Sequence, residues 1–205
     1  MREARRHRPF RLAAGLFILA AALAVAPRPI LAQAQAQDDI VSLEGDPAER
    51  EATRQRLFGE LAAAPSQPVA QRIAARIWLF WFQAPDEDAA DLMRQALALR
   101  QSGALRDTLQ ILDRLVQEAP DWAEAWNQRA TIRFLTGDFP GSLADIDQVL
   151  PLEPKHFGAL SGQAMILRRL GRQDEAQRVL KRAVEINPFL AERALLAPEP
   201  EGQDI

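Results

Sequence analysis

Three series of residues recur along the chain with one shared period of 34 positions. Glycine permits the left-handed turn that joins two helices, and proline ends a helix because it lacks the amide donor. Alanine lets two helix axes approach closely. Because three independent series share one period, they indicate repeated helix–turn–helix units. The series are Gly103, Gly137 and Gly171; Pro120, Pro154 and Pro188; and Ala96, Ala130 and Ala164.

The period and the residues that mark it resemble the tetratricopeptide repeat, a helix–turn–helix unit of 34 residues. The three repeats would span 89–122, 123–156 and 157–190. The resemblance implies an all-α fold, a right-handed α-α superhelix. Leu115 and Val149 stand where the family usually has alanine, and their bulk could alter the angle between neighbouring repeats.

Two further helices are predicted before the repeats, over residues 46–85. Asp46 followed by Pro47 fits the N-cap and first position of a helix that runs to about Ala63. We expect the pair to pack on the first repeat as an N-terminal cap. The alternative is that the run IWLFWF (77–82) forms an exposed partner-binding patch. The apolar face of the second helix contains Ala70, Ile73, Ala74, Ile77, Trp78 and Trp81.

The C-terminal segment FLAERALLA (189–197) is predicted to cover the open end of the array as a capping helix. Residues 33–45 and 198–205 are polar and rich in proline, glutamine and acidic side chains. Such segments bury too little apolar surface to fold alone, so we predict a disordered linker and a disordered tail.

Residues 1–32 have the order of a secretory signal peptide. Five arginines come first, an uncharged run from Leu12 to Ala26 follows, and Ile30-Leu31-Ala32 offers a small residue before a cut. The pattern predicts export to the periplasm, with cleavage near Ala32 or Ala34. An uncleaved signal, which would anchor the chain in the inner membrane, is the alternative. The absence of cysteine excludes a lipid-anchored lipoprotein.

Composition excludes several kinds of site. Without cysteine there are no disulfides, catalytic thiolates or sulfur-ligated metals. After residues 1–32 the only histidine is His156, so a histidine-rich metal site is excluded as well. Residues 33–205 carry 19 basic and 27 acidic residues, a net charge of −8, which argues against nucleic acid and anionic lipid as partners. No cofactor is predicted.

His156 and Ser161 do not form a convincing catalytic pair. A nucleophile elbow places glycine two residues before and two after the serine, on a strand-to-helix turn. Ser161 instead has Gly158 three before it and Gly162 one after it, inside a predicted helix. We expect His156 to lie on the surface beside a packed Phe157. A carboxylate-dependent hydrolase using Asp145, Asp147 and Glu153 is a weaker alternative, because these residues occupy positions usual for solvated charge.

In tetratricopeptide repeats the first helix of each unit lines a concave groove, so the resemblance implies a set of partner-binding residues. The fifth and ninth positions of all three repeats are uncharged here, so the basic clamp for a terminal carboxylate is missing. Methionine suits adaptable apolar contacts, although it also fills gaps in cores. Gly162, in mid-helix, implies either close packing or room for a partner. The implied residues are Met93, Leu97, Arg100, Asn127, Gln128, Thr131, Phe134, Ser161, Gly162, Met165 and Arg168.

The resemblance therefore implies a non-catalytic interaction protein that binds a peptide or protein segment. Together with the signal pattern, it suggests an exported scaffold for assembly or maintenance of the cell envelope. The alternative is a structural subunit held at the inner membrane by its uncleaved signal.

Overall fold

The computed structural model describes residues 46–197, and this part of the chain contains helices and no strands. The all-α fold is confirmed. The predicted signal (1–32), linker (33–45) and tail (198–205) lie outside the described residues. The helices are α1 (Pro47–Ala62), α2 (Gln67–Trp81), α3 (Glu87–Gln101), α4 (Leu105–Glu118), α5 (Ala123–Thr136), α6 (Phe139–Leu152), α7 (Phe157–Arg169), α8 (Gln173–Ile186) and a 3₁₀ helix (Ala191–Leu195).

The helices pack mainly as consecutive pairs, α3 with α4, α5 with α6 and α7 with α8. Each of these pairs turns at a glycine with a left-handed backbone, at φ 79° for Gly103, 83° for Gly137 and 77° for Gly171. A side chain at these positions would meet open space. The glycines are therefore required by the backbone conformation rather than by lack of room, as the period predicted.

Ala130 lies where α5 meets α6 and the following repeat. It is buried in a cluster with Ile146, Val149 and Ala159, and its carbonyl oxygen accepts a hydrogen bond from Ser142 Oγ at 2.7 Å. The small side chain is therefore part of a filled interface, in agreement with the alanine series.

Replacing Ala130 with leucine is expected to destabilise the fold by about 1–3 kcal/mol, because the added atoms overpack this interface. Urea unfolding followed by circular dichroism measures the change. Ala144→Leu is the matched control, since Ala144 is exposed on α6. Equal stability of the two variants would contradict the assignment of Ala130 as a helix-contact position.

The N-terminal pair forms as predicted but packs elsewhere. Asp46 caps α1 by accepting from the amides of Ala48 and Glu49, and Ala70, Ile73, Ile77 and Trp81 form the buried face of α2. The pair shares its core with Phe157 at the start of the third repeat, and with Ile186, Phe189 and Leu190 at its end. The two helices therefore lie mainly against the third repeat and not on the first as predicted, whereas Phe82 and Ala84 after them pack against the core of the first repeat. Trp78 and Trp81 of α2 pack against His156 and Phe157 at the start of the third repeat, whereas the ring of Phe80 lies against Arg50 of α1.

The segment after α8 also differs from its prediction. Residues 191–195 form a short 3₁₀ helix with no buried residue, not an α-helix over 189–197. Phe189 and Leu190, the most apolar part of the segment, pack against the N-terminal pair and lie before the 3₁₀ helix. No helix within residues 46–197 combines the length and hydrophobicity needed to cross a membrane.

Candidate functional site

The residues implied as partner-binding lie on α3, α5 and α7, and we call this surface the groove face. It divides into a buried part and an open part. The floor consists of four residues that are at most 5% exposed: Met93, Asn127, Gln128 and Ser161. The rim consists of seven partly exposed residues: Leu97, Arg100, Thr131, Phe134, Gly162, Met165 and Arg168.

The floor is not uncharged, because the carboxylate of Glu124 is fully buried in it. Its oxygens accept hydrogen bonds from Gln128 Nε2 at 2.5 Å and from Asn127 Nδ2 at 3.2 Å. Arg100 Nη1 donates in turn to Gln128 Oε1 at 2.9 Å. Buried polar groups of this kind are stable only when their partners are present. Asn127 and Gln128 therefore hold Glu124 in place and are not free to bind a partner.

His156 completes this network and is fully buried, so the expectation of a surface histidine is wrong. Its Nδ1 accepts from the amide of Ala159 at 3.1 Å and thereby caps α7. The proton of the neutral ring consequently lies on Nε2, which is 3.0 Å from Glu124 Oε2 and donates to it. The ring also stacks on the indole of Trp81, with centroids 3.9 Å apart. These three contacts explain why His156 is buried. None of them is a contact with a nucleophilic side chain.

Trp81 and Arg54 join the N-terminal pair to the repeats at Glu153. Trp81 Nε1 donates to Glu153 Oε2 at 3.1 Å, and Arg54 Nη1 lies 3.0 Å from both oxygens of the same carboxylate. The backbone oxygen of Trp81 accepts from Trp122 Nε1 at 2.8 Å. The end of α2 is thus fixed by directed bonds to two loops between repeats.

Glu51 positions the guanidinium of Arg54 for this contact. Arg54 Nε is 2.7 Å from Glu51 Oε2. Hydrogen bonds from Arg54 and then Gln55 lower the pKa of Glu51 to about 2. Glu51 therefore remains ionised, and continues to hold Arg54, at acidities that protonate an ordinary carboxylate.

The two glycines of α7, Gly158 and Gly162, have different surroundings. A Cβ on Gly158 would lie 2.7 Å from the Trp78 ring, whereas a Cβ on Gly162 would have Ile146 Cδ1 at 3.9 Å as its only near neighbour. Gly158 is therefore required so that Trp78 can lie against the helix. Gly162 is not required by packing, which leaves room on the groove face.

We expect Gly162→Ala to stabilise the protein by up to about 1 kcal/mol, because alanine is the better helix former. Gly158→Ala should lack this gain, since the added methyl collides with a rigid ring. Both substitutions lie on α7 and are chemically identical, so each is the control for the other. Thermal unfolding of the two variants compares them, and a larger gain for Gly158→Ala would contradict the packing of Trp78.

At the C-terminal ends of α5 and α7, apolar and basic side chains lie on the rim or follow rim residues in the sequence. The ring of Phe134 lies 5.7 Å from that of Phe139, and the guanidinium of Arg169 lies 5.5 Å from the Phe134 centroid. The residues that follow Phe134 and Arg169 in the sequence, Leu135 and Leu170, are 53% and 46% exposed. The rim is therefore a surface that can contact both apolar and acidic groups. Ser161 Oγ, on the floor, is buried and has no hydrogen-bond partner among residues 46–197.

Two of the three carboxylates of the alternative hydrolase, Asp145 and Glu153, are bound by arginines and are not the solvated charges that were expected. Asp145 is buried between Arg129 Nη2 at 2.7 Å and Arg133 Nη1 at 2.9 Å. Burial raises the pKa of Asp145, and the hydrogen bond from Arg129 acts in the opposite direction. Glu153 is bound by Arg54, and Asp147 is exposed on α6. Within residues 46–197 no group of histidine and acidic side chains is arranged to hold a metal ion.

Sequence reasoning did not predict the roles of three residues that organise the site, Glu124, Trp81 and Arg54. The signal for Trp81 was present, because Trp78 and Trp81 share one face of α2 with Ile77. No local signal identified its contact with Glu153, which is 72 positions away in the sequence.

Comparisons with known proteins agree with the helical pairs. A TPR repeat-containing protein of Rhizobium etli is 33% identical over 181 residues, which cover 88% of this chain and 88% of that protein. Tetratricopeptide repeat protein 36 of Bos taurus is 31% identical over 119 residues, which cover 56% of this chain and 63% of that protein. The solved structure of the first TPR of Spaghetti (RPAP3), bound to the HSP90 peptide SRMEEVD, has a TM-score of 0.51 at 18% identity and covers 52% of this chain and 85% of that chain. No family model matches the chain.

Proposed function

This chain belongs to the tetratricopeptide repeat family, whose folds are non-catalytic interaction modules, and we propose that it binds a peptide or protein segment at the rim of its groove face. The observation that carries the proposal is that the rim, Phe134 included, stays partly exposed while the floor is buried, and that two residues beside it in the sequence, Leu135 and Leu170, are exposed. A related fold has been solved with a peptide, the first TPR of Spaghetti with an HSP90 peptide.

The rim indicates an amphipathic segment as the partner. Its apolar side would lie on the apolar rim residues Leu97, Phe134 and Met165. Acidic flanks would lie toward Arg100 and Arg168, which are both partly exposed. The floor residues Asn127 and Gln128 are engaged with Glu124, so they contribute by supporting α5 and not by direct contact.

Phe134→Ala is expected to weaken partner binding at least tenfold, since an aromatic anchor at an interface can be worth about 2 kcal/mol or more. A protein captured from envelope extract with the parent chain serves as the ligand, and its affinity for both chains is measured. Circular dichroism checks that the variant keeps its helices.

Leu152→Ala is the matched control, because Leu152 is also an exposed apolar residue but lies at the end of α6. It should bind the captured protein like the parent chain. If Phe134→Ala also binds like the parent chain, the rim is not the binding surface.

Export of the chain is part of the proposal and is supported by the pattern of residues 1–32. We expect the mature protein to begin near Ala32 or Ala34 and to reside in the periplasm as an envelope scaffold. Mass spectrometry of the native N-terminus tests this. An intact Met1 terminus in the soluble fraction would contradict export, and an intact terminus in the membrane fraction would favour the inner-membrane subunit.

A further inference from the structure

A cleft of about 450 Å³ lies between α6 and α8, with residues of α7 at its base. None of the residues that line it belongs to the groove face. We propose that this α6–α8 cleft is a second binding site, which takes an acidic segment of a partner protein with aliphatic side chains between its carboxylates. The proposal goes beyond the rim of the groove face and does not depend on it.

The base of the α6–α8 cleft is apolar. Leu143 of α6, Leu167 of α7 and Val179 of α8 line it. Leu167 is buried, whereas Leu143 and Val179 are partly exposed. A partner's aliphatic side chains would cover this apolar surface, and removal of apolar surface from water favours binding.

Two of the three arginines that line the cleft have no hydrogen bond or ion pair with another residue of 46–197. They are Arg178 and Arg182, which are both exposed. The third, Arg172, binds Glu175 through two contacts of 2.6 Å. Arg178 acts on Glu175 only at longer range, through its charge.

Arg178 and Arg182 lie four positions apart on α8, so they share one face of the helix. A guanidinium group binds a carboxylate through paired, charge-assisted hydrogen bonds. Two carboxylates of one partner segment can therefore be bound side by side along α8.

The corresponding charges between the first and second repeats are paired within the chain. There Arg129 of α5 binds Asp113 of α4 at 2.9 Å and Asp145 of α6 at 2.7 Å. Asp147, which lines the α6–α8 cleft, forms no ion pair within residues 46–197. The unpaired charges of the cleft are therefore left for a partner from outside the chain. One period of 34 residues after Arg129, Asp113 and Asp145 stand Gln163, Asp147 and Val179.

Charge and shape together favour an acidic chain segment. With Arg172 and Glu175 paired to each other, the two remaining arginines outweigh Asp147, so the cleft is a positive site on a chain whose net charge is −3. The cleft is open, because its arginines and Asp147 are exposed, whereas pockets for small molecules enclose most of their ligand. An extended segment that lies along the cleft therefore fits it better than an enclosed small molecule.

A fluorescein-labelled hexapeptide that alternates glutamate and leucine is the probe for this site. The same peptide with glutamine in place of glutamate is its neutral counterpart. Fluorescence anisotropy measures the affinity of both peptides for the full chain. We expect the acidic peptide to bind the parent chain at least about tenfold more tightly than the neutral one. Replacing both Arg178 and Arg182 with glutamine should remove this preference, because glutamine is a good helix former but carries no charge.

Three further variants separate the cleft from other basic surfaces. Arg114→Gln should bind the acidic peptide like the parent chain, since Arg114 is exposed on α4 at the repeat position that Arg182 has two periods later. Phe134→Ala, which changes the rim, should also bind it like the parent chain. Asp147→Asn should bind it at least about twofold more tightly, because the substitution removes a negative charge from the cleft.

Circular dichroism checks that each variant stays folded. The proposal is overturned if the acidic peptide does not bind the parent chain, if the neutral peptide binds as tightly, or if the double arginine variant keeps the preference. Weaker binding to Asp147→Asn would show that the cleft takes cations, and a loss in Arg114→Gln equal to that of the double variant would show unspecific attraction; either result rejects the site. If Phe134→Ala loses the peptide, the acidic segment binds at the rim and the cleft alone is rejected.

Discussion

Replacing Glu124 with alanine is expected to lower the free energy of unfolding by about 3–5 kcal/mol, because each buried donor left without a partner costs about 1–3 kcal/mol. Three side chains donate to this carboxylate: Asn127, Gln128 and His156. None of the three is more than 5% exposed, so water cannot easily replace the lost acceptor. His156 would also lose the bond that fixes its ring for the cap of α7.

Urea unfolding followed by circular dichroism measures this loss. Glu124→Gln should fall between the parent chain and the alanine variant, since glutamine keeps one acceptor oxygen and replaces the other with a donor. Glu118→Ala is the control, because Glu118 is exposed and its ion pair is with Arg114 on the same helix; a change within about 0.5 kcal/mol is expected there. A Glu124→Ala variant as stable as Glu118→Ala would show that the floor network does not support the fold.

The helical pairs could be predicted because their signals are local. Gly137 has a positive φ, and Asp46 caps α1 with its own side chain. Both depend on residues within four positions along the chain, so a single sequence contains the information. The period of 34 residues then repeats the same helix–turn–helix arrangement three times.

The arrangement of the site could not be predicted because its contacts join distant residues. Trp81 reaches Glu153 and His156 only when α2 folds back across the third repeat. The sequence pattern of the apolar face of α2 is the same whether the helix packs on the first repeat, on the third repeat or on a partner. Glu124 was missed for a related reason. An acidic residue near a helix start is usually solvated, and its burial becomes evident only with the three donors around it.

Asp145→Ala is expected to cost about 3 kcal/mol, because removal of one partner from a buried ion pair leaves its counter-charge uncompensated. Asp145 is 1% exposed and binds Arg129 and Arg133, both on α5. Arg129 would retain Asp113 of α4 at 2.9 Å. That remaining carboxylate is half exposed, so we expect it to compensate only part of the lost charge. For this reason the expected loss of stability is at the lower end of the range seen when one partner of a buried ion pair is removed.

Asp147→Ala is the matched control for this prediction, since it changes the same residue type two positions further along α6 where the side chain is exposed. Its stability should stay within about 0.5 kcal/mol of the parent chain. Urea unfolding of both variants makes the comparison. If the two cost the same, the arginines do not depend on Asp145, and the link that these charges form between α4, α5 and α6 does not stabilise the first two repeats. A large difference would instead show that the buried carboxylate of Asp145 stabilises the fold by holding Arg129, which in turn pairs with Asp113 of the preceding repeat.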